Sequence, residues 1–393
     1  MKTNNKTKVK IAMQALFILI ALYLSFIIIS LMTAIIGTTI NTPKYIESQK
    51  THISQLKAQY AANAIAPVDE DKFTTFSNTT LSNEVKINEL RYLATHNSYK
   101  KELSPTSFFC FNYAIPFAGA SNGATAYNYG FESLTEQLNN GIRSFELDIS
   151  RRLNGELQCM HNTLLDSNSN AIDFETAFEE LKLWSDNNPK HLPIMILIEA
   201  KAGLWIFDTK DATADDIANL GKTAKGVFGD KLYTPNDMLK DGSALDFKDM
   251  TENNKYPSVN SMRGKILFML HPGKATSSYI DLDKTMKTQQ FFAVIDGKDV
   301  LVNKDLIKYS CFALSNDPQS DSVSVLANDL NMIVRTRLNI YPKHSEADYI
   351  AGMRSNANIL SSDYPPRTVP NGESYVSYLD QAGKKTITLR KHM

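Results

Sequence analysis

The run LTEQLNNGIRSFELDIS, Leu134 to Ser150, contains a helix, a stop and a strand in succession. Leu134 to Asn140 has helical spacing and Gly141 stops it, because glycine takes the left-handed conformation that commonly ends a helix. In the strand that follows, Arg143 to Ile149, Glu146 and Asp148 alternate with the apolar Phe145, Leu147 and Ile149. Alternation along a strand puts those two carboxylates on one face. The same alternation of short apolar runs and helical patterns continues from Ile87 onward, which is how strand and helix units feed a parallel sheet.

Eight strands are predicted: Leu90 to Thr95, Arg143 to Ile149, Glu156 to Met160, Pro193 to Ala200, Lys265 to Leu270, Ser310 to Ser315, Met332 to Arg337 and Asn358 to Ser362. Phe291 to Ile295 is a ninth candidate. Helices are expected at Phe174 to Ser185, Ala212 to Phe228 and Val323 to Leu330. Eight strands with crossovers imply an α/β fold of the (β/α)8 TIM-barrel type, which typically needs about 250 residues. The segment from residue 86 to residue 393 is long enough for one.

Ahead of that segment, Lys2, Lys6, Lys8 and Lys10 precede an uncharged stretch from Ile11 to Ile36. As a helix it would reach about 39 Å, enough to span a bilayer. It is longer than a secretory signal core and ends without a small-residue cleavage site, so it reads as an uncleaved signal anchor. The lysines then stay cytoplasmic. The expected organisation is a cytoplasmic tip and transmembrane anchor over 1–40, a polar stalk over 41–85 with one short amphipathic helix at Ile46 to Ala62, and the barrel over 86–393. This describes a single-pass protein whose main domain is extracytoplasmic, in the periplasm or at the cell surface.

Composition excludes little else. Lysine plus arginine and aspartate plus glutamate are 42 each, so no global field recommends a nucleic acid partner. Cys110, Cys159 and Cys311 are too few and too scattered for a disulfide framework or a zinc site.

Chemistry concentrates at predicted strand ends. His96 closes the first strand in LATHNSY, and His161 closes the third in LQCMHNT. Residues just past the strand ends of a parallel barrel converge on one mouth. Asn97, Glu146, Asp148 and Glu199 supply oxygen donors there. Unpaired carboxylates inside apolar strands cost several kcal/mol, so they call for a cation or for strong pairing, here with Arg143, Arg151 or Lys201. Hard oxygen ligands select calcium or magnesium.

In this order, His96-Asn97, Glu146-x-Asp148 behind NNGIRSF, His161 and Glu199 resemble the catalytic half of calcium-dependent phosphatidylinositol-specific phospholipases C. LWSDNNPKHLPIMILIEAK, YPSVNSMRGKILFML, SNDP, VRTR and NILSSDYP look like the secreted bacterial and fungal branch. The resemblance covers roughly Ile87 to Pro365. It implies His96 and His161 as catalytic residues, and Asn97, Glu146, Asp148 and Glu199 as ligands of Ca2+, with Mg2+ the alternative. It also implies attack of the inositol 2-hydroxyl on phosphorus, with a phospholipid or another phosphodiester as substrate. Lys201, Arg335, Arg337, Asp363 and Tyr364, all at strand ends, are expected to bind substrate, and His271 to line the pocket. Trp184 and Trp205 read as packing residues.

Two features depart from the branch: Asn339 stands in VRTRLN where an acidic residue is expected, and the loop between Lys100 and Phe131 is long and aromatic. The rivals are a glycerophosphodiester phosphodiesterase or sphingomyelinase D-like enzyme on the same barrel, and a non-catalytic protein binding lipid or glycan. Asn97 followed by Ser98 and Tyr99 favours the phospholipase C reading. A non-catalytic descendant would have lost a histidine or a ligand, and none is lost.

Overall fold

A computed structural model describes residues 2–114, 123–162, 165–204, 208–366, 375–380 and 382–390. Twelve strands are present in these residues: β1 (Leu90–Thr95), β2 (Ser144–Arg152), β3 (Leu157–Gln158), β4 (Ile194–Ala200), β5 (Thr209–Lys210), β6 (Ile266–Leu270), β7 (Phe292–Ala293), β8 (Ile295–Asp296), β9 (Phe312–Leu314), β10 (Ile333–Asn339), β11 (Ile359–Ser362) and β12 (Ile387–Leu389). The order β7-β6-β4-β2-β1-β11-β10-β9-β8 is parallel at every step. Because β7 and β8 are halves of one short run, pairing with β6 on one side and β9 on the other, the sheet closes on itself as a TIM-type barrel.

The stave strands are buried on both faces, which is why they read as apolar runs without alternation. Ile194 to Ile198 in β4 are all buried, as is every residue of β6. The helices wrap outside: α1 (Lys2–Ala61) precedes the barrel, α2 (Pro105–Phe109) and α3 (Leu134–Asn139) join β1 to β2, α4 (Phe174–Asn187) leads to β4, and α5 (Ala214–Phe228) leads toward β6. Local rules account for their ends. Ser133 caps α3 and exchanges hydrogen bonds with Glu136, each 3.2 Å. Gly141 has φ +86°, and a Cβ there would lie 2.4 Å from the Phe73 ring.

Several sequence expectations are corrected. Glu156 to Met160 is not a stave: only Leu157–Gln158 is strand, and it pairs antiparallel with Ser150 and Arg151 of β2. A parallel neighbour would need a crossover of a dozen or more residues, whereas a tight turn at Asn154-Gly155, with Gly155 at φ +95°, reverses the chain here. The missing stave is the ninth candidate, Phe291 to Ile295, realised as β7 and β8. Val323 to Leu330 is also less regular than expected, a short helix at Asp321–Ser324 followed by a π turn at Val325–Asp329.

The amphipathic helix expected at Ile46 to Ala62 is the end of α1, which runs unbroken through the apolar stretch with Pro43 inside it. Residues 45–60, expected as stalk, pack on the barrel. Ile53, Leu56 and Tyr60 are buried, Gln49 exchanges bonds of 3.0 and 3.1 Å with the backbone of Asp173, and Tyr45 donates to Asn168 at 2.6 Å. Further on, Glu70 forms a buried ion pair with Arg143 at 2.7 Å, stitching residues 70–76 beneath β2. Among the described residues, α1 is the one helix long and apolar enough, by length and composition, to cross a membrane. All three cysteines are buried and free.

Candidate active site and metal centre

The chain leaves β1 through a turn in which Asn97 takes φ +52°, a conformation asparagine tolerates better than most residues. The turn is fixed to β2: Ser98 donates its N–H to the Glu146 carbonyl at 2.9 Å, and its hydroxyl accepts the Glu146 N–H at 2.8 Å. Asn97 is thus held beside the first carboxylate. In the β2–β4 register Asp148 stands opposite Glu199, so three carboxylates from two adjacent strands meet, with one oxygen of each within 4.8 Å of the others.

Their surroundings decide whether this is a metal cage or a salt-bridge network. Arg143 pairs with Glu70 and Arg151 with Asp216, so neither serves the cluster. Lys201 does, at 3.0 Å from Asp148 and 3.1 Å from Glu199, while Arg335 donates to Glu146. Burial opposes the Lys201 ammonium, but Asp148, Glu199 and Glu146 outweigh it and raise its pKa. Burial likewise opposes ionisation of Glu146, yet Arg335, His96 and Lys201 hold it below the ordinary carboxylate range. For Asp148 burial prevails and the pKa is raised, despite Lys201 and a 2.6 Å bond from the Tyr99 hydroxyl.

Even so, two buried acceptors of this cluster lack a donor among the described residues: Asn97 Oδ1 and Asp148 Oδ1. Each would cost about 1–3 kcal/mol if left so. One amide oxygen and three carboxylates form the hard donor set that suits calcium, and an ion there would relieve both orphans. The residues present therefore fit the metal.

The two imidazoles stand on this cage. His96 lies 4.0 Å from Glu146 through Nε2, and Nδ1 is 2.9 Å from Asp363 at the end of β11. Burial works against its protonated form, but Asp363 and Glu146 outweigh this and raise its pKa. His161 follows the β2–β3 hairpin, not a stave, and still reaches the rim, sharing a crevice with Lys201 and Ser150. Its Nδ1 is 3.0 Å from Asp166, whose other oxygen is paired at 2.7 Å with the buried Lys100 ammonium.

A family model described as calcium-dependent phosphoinositide phospholipase C matches residues 85–156 and 152–387. The chain belongs to that family. Phosphoinositide phospholipases C of this kind are phosphodiesterases, and the family depends on calcium. Solved structures of similar fold include a calcium-dependent phosphoinositol-specific phospholipase C from a Gram-negative Pseudomonas, at 18% identity, covering 81% of this chain and 99% of that one with TM-score 0.54. The calcium-dependent phosphatidylinositol-specific enzyme of Streptomyces antibioticus matches at 16% identity, covering 78% and 99% with TM-score 0.52. Among curated protein sequences there is no significant match.

The other expected site residues divide. Arg335 is buried between Glu146, Asn316 and Ser361. Arg337, half-buried on the same strand, lies close enough to His96 to bias its charge. Asp363 is fully buried and orients His96, with its second oxygen accepting the Tyr341 N–H at 2.9 Å. Tyr364 is fully buried in an aromatic cluster with Tyr341, His344 and Tyr375, behind the rim. Asn339 is engaged internally, donating to the Tyr375 hydroxyl and accepting the Ser345 N–H, both at 2.7 Å. His271 and Lys201 border a cavity of about 590 Å³ beside the carboxylates. Trp184 is a packing residue, buried against Arg143 at 4.7 Å, while Trp205 lies outside the described residues.

Asp166, Lys100 and Tyr129, which accepts from the Asn97 amide at 3.0 Å, were not singled out in the sequence. Asp166, five residues after His161, was the one within reach of a local argument.

Proposed function

We propose that the chain cleaves the glycerol-side phosphodiester of phosphatidylinositol or a close relative, giving diacylglycerol and a cyclic inositol phosphate. The observation that carries the reading is the pairing of two carboxylate-held histidines with a cage of oxygen donors in which the Asn97 and Asp148 oxygens have no protein donor among the described residues. Asn97, Glu146, Asp148 and Glu199 would hold calcium. Bound there, the ion would supply Lewis-acid polarisation of phosphoryl oxygen and a lower pKa for a coordinated hydroxyl.

The protein's own groups do the rest. His161, its ring oriented by Asp166, protonates the departing glycerol oxygen. His96, oriented by Asp363 and favoured in its charged form, stabilises the negative charge on phosphorus; in its neutral form it would instead take up the 2-hydroxyl proton, a role for which Glu146 or Glu199 is the alternative base. Lys201 and Arg337 face the substrate's phosphate and ring hydroxyls, and Arg335 steadies Glu146. Because nucleophile and phosphorus belong to one molecule, orientation supplies much of the rate.

The apolar part of α1 acts as an uncleaved signal anchor, with Lys2, Lys6, Lys8 and Lys10 in the cytoplasm and the barrel on the far side, periplasmic or at the cell surface. Protease protection in sealed cells tests this orientation. The activity is tested by offering phosphatidylinositol, a glycerophosphodiester and sphingomyelin, each with calcium, with magnesium and with chelator. Cyclic inositol phosphate that vanishes on chelation is the expected result. Release of glycerol phosphate or choline alone would move the chain to a rival phosphodiesterase, and no turnover of any substrate would leave a binding protein.

A further inference from the structure

No charged residue stands between Glu102 and Glu132, and the stretch is rich in phenylalanine and tyrosine. Its described start, α2 and the π turn Cys110–Ala114, lies against the middle of α1. The Phe109 ring meets Phe26 edge-on at 6.0 Å, and the Cys110 thiol donates to the Ser30 carbonyl at 3.5 Å. Ile27 and Leu31 pack with Leu103, Cys110, Phe111 and Leu165. The outer side of this element remains apolar and open, with Phe109 48% and Tyr113 61% exposed.

The depth of that contact follows from the length of α1. A hydrocarbon core of about 30 Å takes about 20 helical residues. Counted from Ile11, the first residue after the cytoplasmic lysines, it ends near Ser30, so Phe26 lies within it by about one turn. A segment packed on Phe26 shares that depth. Backbone entering lipid must satisfy its own hydrogen bonds, and this segment is helical.

The same element reaches the chemistry. Phe111 stacks on Tyr127 at 4.8 Å and 11°, and Tyr127 lies 5.9 Å from the His161 ring. Downstream, Thr38 bonds Ser167 at 3.1 Å, and Tyr45 and Gln49 bind the barrel as described. The anchor is therefore docked along the catalytic domain. A flexible tether would let the mouth visit its own or an apposed membrane, whereas a docked helix restricts it to one.

From this continuity with the spanning helix, we infer that residues 105–113 enter the near leaflet of the bilayer that α1 crosses, and hold the barrel mouth on it, so that the protein hydrolyses phosphoinositide in its own membrane. The hydrolysis rests on the phospholipase reading above; the insertion does not.

The test uses the full chain reconstituted into phosphatidylcholine vesicles. A Phe109→Trp variant in vesicles brominated along the upper acyl chain should lose at least half of its added tryptophan fluorescence relative to wild type. An unquenched signal overturns the insertion whatever the activity. Phosphatidylinositol placed in the same vesicles should then be cleaved at least tenfold faster than in separate vesicles. Phe109→Glu with Tyr113→Glu should remove that preference while leaving turnover of a water-soluble inositol phosphodiester unchanged, which also reports folding. Equal cleavage in both placements overturns the restriction to its own membrane. Absence of turnover on every inositol substrate, with quenching intact, counts against the phospholipase reading alone.

Discussion

His96 and His161 arrive at one rim by unlike routes. His96 sits at the end of a stave, and its partner Asp363 comes from the neighbouring stave β11, far away in the chain. His161 rides on a hairpin outside the barrel wall, and its partner Asp166 is five residues away, held by the Lys100 ammonium. One ring is positioned by the closed sheet and the other by a buried ion pair behind a loop. The first is the more enclosed, with 14% of its side chain exposed against 24%. The sheet-held ring suits charge stabilisation deep at the phosphorus, and the more exposed loop-held ring suits proton delivery to a departing group.

The strongest way to break this comparison is to remove each ring. His96→Ala and His161→Ala should each lower turnover of phosphatidylinositol by about 10² to 10⁴. If His161 is the acid, its variant should recover on a substrate whose leaving group is a nitrophenolate, and the His96 variant should not. Equal recovery in both would erase the division of labour.

Next in size is Lys100→Met, which leaves the buried Asp166 carboxylate without its ammonium partner. Removing one member of a buried pair costs about 3–5 kcal/mol, so denaturant unfolding should fall by that amount. Asp363→Asn removes the charge that favours protonated His96 but keeps a side chain of the same shape, and should lower turnover with a smaller loss of stability. Glu199→Gln, which takes one oxygen from the cage, should raise the calcium needed for half-maximal activity by at least about tenfold, by analogy with the loss of supporting ligands. Unchanged calcium dependence would remove Glu199 from the ligand set.

The smallest effect lies away from the rim. His191 is buried, its Nδ1 donating to the Leu192 carbonyl at 2.6 Å and its Nε2 accepting from the Ser185 hydroxyl at 2.8 Å. Burial holds its pKa down at about 3. Below its unfolded pKa near 6.5, only the unfolded chain takes up the proton, so stability is lost as pH falls. Relative to His191→Gln, the wild type should lose up to about 1.4 kcal/mol per pH unit between pH 6 and 4, read by thermal unfolding. A constant difference would show that the ring is not the titrating group.

The donors on β1, β2 and β4 were legible in the sequence because apolar strands make any embedded carboxylate or amide conspicuous. β1 has the bounds its apolar run suggests. Glu156 to Met160 was misread because apolar content cannot distinguish a stave from a hairpin arm, although Asn154-Gly155 carried the turn signal. Phe291 to Ile295 stood only as a ninth candidate, and its two halves serve different neighbours. Asp363 was read as a substrate contact since its partner, His96, is a tertiary neighbour that no local pattern reveals. The Lys100 to Asp166 support escaped notice for the same reason.

β12 runs antiparallel along Leu90 to Tyr92, while β1 and β2 share a bridge only at Ala94 and Ser144. The last strand is thus a wedge in the seam between the stave bearing His96 and the stave bearing the carboxylates. Trimming a handful of residues at the foot of the molecule would let that seam slide. The register that brings an imidazole and an acid cage together would be lost from the end opposite to where either is seen.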